Sequence, residues 1–154
     1  MIRSINQLVT EQCNSHCKMC SLWTNADDED RMSADDFARL YSSQEFRYAK
    51  DLCVSGGEPT LRADLEDIMD AMFSALQGLD MFFLSTNCYD PQRIISLAER
   101  FSDKVSQFYV VASFEGRPQS YRAIRGVDWY DRVIATLRDI RPTGAQAILS
   151  ATVQ

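Results

Sequence analysis

The sequence is poor in the residues that mark several functional classes. It has 1 histidine among 154 residues, and 16 Lys and Arg against 22 Asp and Glu leave a formal charge of −6. Such an acidic chain lacks the basic surface that displaces counterions from nucleic acid, and it suits an anionic membrane surface no better. No apolar run approaches the length of a bilayer span. Residues 1–10 have neither the basic segment nor the apolar stretch of a secretion signal. The expectation is a cytoplasmic chain with no nucleic-acid and no membrane partner. Repeats, low-complexity tracts and long linkers are also missing, and the one charge run, residues 27–31, reads as a solvated turn. What is present is a globular composition, 45% hydrophobic and 25% charged, in a length suited to one domain with a sizeable core.

Apolar and amphipathic segments alternate along the chain. Residues 2–9 read as a first strand, and 51–55 as a short buried strand centred on Leu52, Cys53 and Val54. Residues 79–85 and 105–113 read as continuous apolar strands, and 145–153 as a last strand after a Pro142-Thr143-Gly144 turn. Between them, Ser33 suits the N-cap of a helix carrying Phe37, Leu40 and Tyr41. Residues 64–77 give the clearest helix, with Leu65, Ile68, Met69, Met72, Phe73 and Leu76 on one stripe and Gly78 as its stop. Asp90-Pro91 supplies the N-cap and first position of a helix with Ile94, Leu97, Ala98 and Phe101. Asp128 caps a fourth, with Tyr130, Val133, Ile134 and Leu137 on one face. Five strands alternating with four helices imply an α/β fold of parallel βα units, both sheet faces covered. Ligands bind such folds at the C-terminal ends of the strands, so the residues just after each strand should carry the chemistry.

Cysteine is the informative residue. Five occur, an odd number without a secretion signal, which makes a disulfide framework a poor explanation. Cys13, Cys17 and Cys20 form a C-x3-C-x2-C pattern after the first strand. Soft thiolates hold zinc or iron–sulfur clusters. A structural zinc closes its shell with four ligands, and an electron-transfer cube is held by four cysteines. Three cysteines on one loop leave one iron without a protein thiolate, open to substrate or cofactor. Spacing alone leaves the open cluster and zinc in balance. The other strand ends offer Gly56-Gly57-Glu58-Pro59, Thr86-Asn87-Cys88 and Ser113-Phe114-Glu115-Gly116, followed by Ile124-Arg125-Gly126. Each is weak by itself; Gly-Gly-Glu-Pro is most often a tight strand-to-helix turn. One per strand end, at a common mouth, is a far stronger signal. The remaining candidates have ordinary readings: Cys53 as inert packing, Cys88 as a loop substitution, His16 as a solvated loop residue, and Trp23, Trp129 and Tyr130 as packing.

With these motifs in these places, the chain resembles the radical S-adenosylmethionine (SAM) enzymes along essentially its whole length. The nearest likeness is to the branch containing the molybdenum-cofactor cyclase and cofactor and peptide maturases. The resemblance implies a parallel partial (open) barrel. It implies that Cys13, Cys17 and Cys20 ligate a 4Fe–4S cluster whose free iron is chelated by the amino and carboxylate groups of SAM. The reduced cluster would cleave SAM to methionine and a 5′-deoxyadenosyl radical that abstracts hydrogen from an unknown substrate. A low-potential donor such as flavodoxin or ferredoxin would supply the electron. The resemblance puts Gly56, Gly57, Glu58 and Pro59 in the segment that holds the methionyl amino group. It puts Ser113 and Arg125 at positions contacting the ribose or carboxylate, the latter suited to an arginine, and Thr86 and Asn87 near the cofactor. Three positions depart from the pattern: Met19 replaces an aromatic residue before the third cysteine, Cys88 replaces the glycine after Thr-Asn, and Glu115 stands where Asp is usual.

The family's core has six βα units, and this sequence stops on a fifth strand. The expectation is therefore one incomplete core over residues 1–154, with an exposed last strand through which another chain could associate. Two rivals from other classes remain. One is a noncatalytic zinc-binding module in which His16 joins Cys13, Cys17 and Cys20. The other is an electron carrier with Cys53 or Cys88 as fourth cluster ligand.

Overall fold

In the computed structural model, which describes residues 1–24 and 31–152, five strands form one parallel sheet in the order β1-β2-β3-β4-β5. The strands are β1 (Ser4–Leu8), β2 (Asp51–Ser55), β3 (Met81–Thr86), β4 (Gln107–Ser113) and β5 (Gln146–Ser150). The helices are α1 (Ala34–Tyr41), α2 (Leu65–Ala75), α3 (Pro91–Phe101), α4 (Pro118–Arg125) and α5 (Tyr130–Asp139). Of the acidic run, residues 27–30 lie outside the described residues.

Strands that follow one another in chain order through right-handed crossovers carry their helices on one side. The strands record this as alternation. Leu52, Val54, Phe82, Leu84, Phe108, Val110 and Ala112 are at most 1% exposed, whereas the intervening Cys53, Phe83 and Tyr109 are half-buried. The expectation of two covered faces is thereby corrected. β3 and β4 read as doubly buried because their open face is apolar as well: Phe83 and Tyr109 stack there with centroids 4.9 Å apart. Toward β1 and β2 that face turns polar, where Ser4 donates to Asp51 (2.7 Å) and Ser55 to Asn6 (3.0 Å).

The covered face is held by the expected stripes. Leu65, Ile68, Met69 and Met72 of α2 are fully buried, each worth about 1.5–3 kcal/mol relative to exposure. Phe73 joins the layers, 4.9 Å from Phe82 of β3 and 5.5 Å from Phe101 of α3. Tyr41 of α1 reaches β1, donating to the side chain of Gln7 at 2.6 Å.

Helix ends agree with the sequence at two caps and differ at others. Ser33 and Asp36 form a reciprocal capping box, and Asp90 accepts from the Arg93 amide with Pro91 at the first position. Asp64 caps nothing with its side chain, because Arg62 takes both carboxylate oxygens (2.9 and 2.7 Å). α2 ends at Ala75, so Gly78 is not its stop. Asp128 is likewise spent on Arg122 (2.6 Å), and α5 starts after Trp129 without a side-chain cap. The fifth helix, α4, was not expected. Its signals are Pro118 at the first position and Gly126 in the left-handed region (φ 70°) just past the end, the usual proline-start, glycine-stop asymmetry. With Tyr121 its one buried residue, it has too thin an apolar stripe to register.

No helix among the described residues is long and apolar enough to cross a membrane. β5 pairs with β4 and is exposed: Ala147 and Leu149 share the face of Val110 and Ala112, yet Leu149 is 53% exposed.

Candidate functional site

Two backbones meet at the C-terminal ends of β1 and β2. The amide of Gly57 donates to the Thr10 carbonyl and that of Glu58 to the Gln12 carbonyl, each at 2.8 Å. A Cβ on Gly56 would stand 2.3 Å from Thr10 O, and one on Gly57 2.1 Å from Gln12 O. Real Cβ atoms do not approach backbone that closely, and Gly56 also has a positive φ of 149°. The paired glycines thus let the turn lie directly on the segment leading into Cys13.

Glu58 is the hub of the mouth. It is 0% exposed. One carboxylate oxygen accepts from the Thr60 amide (3.1 Å), the Thr60 hydroxyl (2.5 Å) and the Thr86 hydroxyl (2.9 Å), and the other from the Asn87 amide (2.6 Å). Burial pushes the carboxyl above its usual range, against the pull of the hydrogen bonds from Asn87, Thr60 and Thr86. Pro59, also buried, starts a short 3-10 turn over Pro59–Leu61. Asn87 extends the hub to the cysteine loop, donating to Asn14 (2.8 Å) and Ser15 (3.0 Å).

Cys13, Cys17 and Cys20 carry free thiols, half-buried, buried and exposed respectively. All three line a cavity of about 210 Å³ with Met19, Gly56, Gly57, Ser85, Thr86, Asn87, Ser113 and Arg125. Burial raises the Cys13 thiol pKa, offset in part by the Ser15 amide, and the negative charge of Glu58, Cys17 and Cys20 raises it further. Among the described residues no three His, Cys, Asp or Glu side chains gather closely enough for a single metal ion. The His16 ring packs edge-on to Trp23 at 5.1 Å.

Neither further cysteine lines that cavity. Cys53 sits on the open face beside Asn6, Asp51 and Phe83, its thiol raised by burial. Cys88 sits in the loop that follows β3. It lies fully buried in the core at φ 60°, its pKa pushed up to about 12 by burial and then by Glu58.

At the far side, α4 grips the cysteine loop. The amides of His16 and Lys18 donate to the carbonyls of Arg125 (3.0 Å) and Ile124 (2.9 Å). Arg125 pairs with the buried carboxylate of Glu115 and donates through Nη1 to Cys17 Sγ at 3.7 Å. Its Nε is buried without a partner among the described residues.

Several supporting residues escaped the sequence reading. Arg62, 2% exposed, donates to the carbonyls of Val9 (2.6 Å) and Met32 (3.0 Å) as well as to Asp64. Nothing in its flanking residues marks a buried arginine. Trp23 packs against His16 as expected and, 38% exposed, also donates its indole N–H to Cys20 O at 2.8 Å. Asn14 and Ser15 sit between the first two cysteines, and that position was the available signal.

The model of the radical SAM superfamily matches residues 8–151. Two strains of Methanococcus maripaludis each have a probable GTP 3′,8-cyclase that is 38% identical over 71 residues, covering 45% of this chain and 24% of the relative. Among solved structures, anSMEcpe with bound AdoMet and the Cp18Cys peptide superposes with a TM-score of 0.70 at 18% identity, over 96% of this chain and 42% of that one. Streptococcus suis SuiB bound to its precursor peptide SuiA gives 0.74 at 19%, over 98% and 33%. The chain thus spans less than half the length of these relatives, and the structural likeness establishes its fold as the open parallel barrel they share.

Proposed function

Because the chain belongs to the radical SAM superfamily, whose enzymes use SAM and a 4Fe–4S cluster, we propose that Cys13, Cys17 and Cys20 hold such a cluster with SAM on the remaining iron. Bound there, the cluster and SAM would supply a one-electron cleavage of the sulfonium and with it a radical able to abstract hydrogen from substrate. The observation that carries this reading is the shared cavity: three free thiols, the glycine turn, Thr86, Asn87, Ser113 and Arg125 all line it.

The chain's own residues divide the work. Gly56 and Gly57 keep the turn against the cysteine loop, close enough for one ligand to touch both, and Pro59 starts the turn that follows. Glu58 positions rather than binds, since its carboxylate is consumed by Thr60, Thr86 and Asn87. Arg125 keeps one buried donor unused, and an anionic group such as the SAM carboxylate satisfies it, with Ser113 in the same cavity. A flavodoxin or ferredoxin is the fitting electron donor, and a cytoplasmic setting keeps the thiols reduced.

Anaerobic reconstitution with iron and sulfide tests the proposal. About four irons per chain, as the cluster type requires, and a spectrum that changes when SAM is added are expected. Cys17→Ser should lose the iron, while Cys53→Ser and Cys88→Ser keep it. One zinc per chain with no iron uptake would instead support the interaction module, and a cluster indifferent to SAM the electron carrier.

A further inference from the structure

Cys17 is held in a way that the other two cysteines are not. Its neighbours His16 and Lys18 are hydrogen-bonded to the last turn of α4 at 3.0 and 2.9 Å, so the loop is registered on that helix from both sides. Gly126 seals the register: a Cβ there would stand 2.7 Å from His16 O. From the same turn the Arg125 side chain reaches back to Cys17 Sγ, 3.7 Å from Nη1. The guanidinium is fixed from behind by Glu115, whose side chain is 1% exposed against 13% for Arg125. The second Glu115 oxygen accepts from the Thr152 amide at 3.1 Å, which anchors the carboxylate to the chain just past β5.

We propose that Glu115 holds the Arg125 guanidinium against the Cys17 thiolate and thereby makes the cluster easier to reduce. The inference rests on the reading of this mouth as a 4Fe–4S site. One-electron reduction by the low-potential donor adds one negative charge to the centre. An N–H donor on a ligand sulfur, and a cation held close by, stabilise that added charge and raise the potential. Glu115 does not cancel the effect, because the guanidinium stands between it and the sulfur and Coulomb interactions fall with distance. Arg125 is a tuning residue here, and Glu115 a positioning residue acting through it.

The test is a potentiometric titration, followed by electron paramagnetic resonance, of the reconstituted full chain without SAM. Arg125→Gln should shift the reduction equilibrium toward the oxidised cluster by at least tenfold, about 59 mV for a one-electron couple. Arg125→Lys, which keeps the charge and loses the fork, should recover part of that shift. An Arg125→Gln protein with full iron content and an equilibrium within threefold of the parent would overturn the proposal. If that variant does not fold or load, Arg125→Lys decides: a parental potential overturns the tuning role, and an intermediate shift sustains it. A purely structural role lowers cluster yield or thermal stability without moving the potential of the clusters that form. Should the parent chain itself assemble no four-iron cluster, the reading of the mouth fails rather than the tuning.

Discussion

β3 and β5 are both parallel neighbours of β4, and both have backbone hydrogen bonds to it through matched registers. Their side chains nevertheless live in different solvents. Phe82 and Leu84 on the outer face of β3 are 0% exposed, while Leu149 on the same face of β5 is 53% exposed. β3 runs into Thr86 and Asn87, which are tied to Glu58 and the cysteine loop. Past β5, the Thr152 amide donates to Glu115. The ladder is common to both strands, so it is the helix layer and the polar hub, rather than strand pairing, that bury one end of this sheet and leave the other exposed. The candidate site is built where those two supports coincide.

Breaking the hub should have the largest effect. Glu58→Ala strands buried donors of Thr60, Thr86 and Asn87 at about 1–3 kcal/mol each, and urea denaturation should show the chain markedly destabilised. A near-neutral result would mean that the end of β3 is no better supported than that of β5. The strands themselves give the next test. Leu84→Ala should cost roughly 2–5 kcal/mol by the cavity it leaves, while Leu149→Ala should stay within about 0.5 kcal/mol. Equal costs would show that β5 is buried after all. The glycines sharpen the point further. Gly57→Ala drives a Cβ into Gln12 backbone and should cost about 1–3 kcal/mol, with lower cluster yield on reconstitution. Gly78→Ala, whose Cβ meets nothing closer than Ala49 O at 3.8 Å, should be within about 0.5 kcal/mol of neutral.

The smallest effect lies in the helix layer. Hydrogen bonds from Ser33, and then from Arg39, lower the Asp36 carboxyl from 3.8 to about 2. A depressed carboxyl contributes stability above its unfolded value and loses it on acidification. The capping box of α1 should therefore support the fold above pH 3.8 and fade as the pH falls through about 2. Thermal denaturation across that window should show the loss, and Asp36→Asn should flatten it.

Much of the fold was readable from short-range pattern. The α2 stripe from Leu65 to Met72, the caps at Ser33 and Asp90, and the strand cores at Leu52, Val54 and Leu84 follow from periodicity, because amphipathic elements write their burial into neighbouring positions. The face count failed because Phe83 and Tyr109 are apolar on the open side too. α4 failed because one buried residue makes no stripe. At the mouth, the cysteines and the glycine turn were legible as motifs. The contacts that organise them were not: Asn87 meets Asn14 across 73 positions, and Arg125 meets Cys17 across 108.

The sequence by itself determined the alternation of strands and helices, the three-cysteine loop and the glycine pair opposite it, since each is a spacing between near neighbours. The tertiary structure alone decided that one sheet face stays open, that Glu58 is a buried hub and that Arg125 lies between Glu115 and Cys17. Those outcomes depend on which strand ends converge in space. Convergence is set by packing the whole helix layer on one side of the sheet, and no local stretch of residues encodes it.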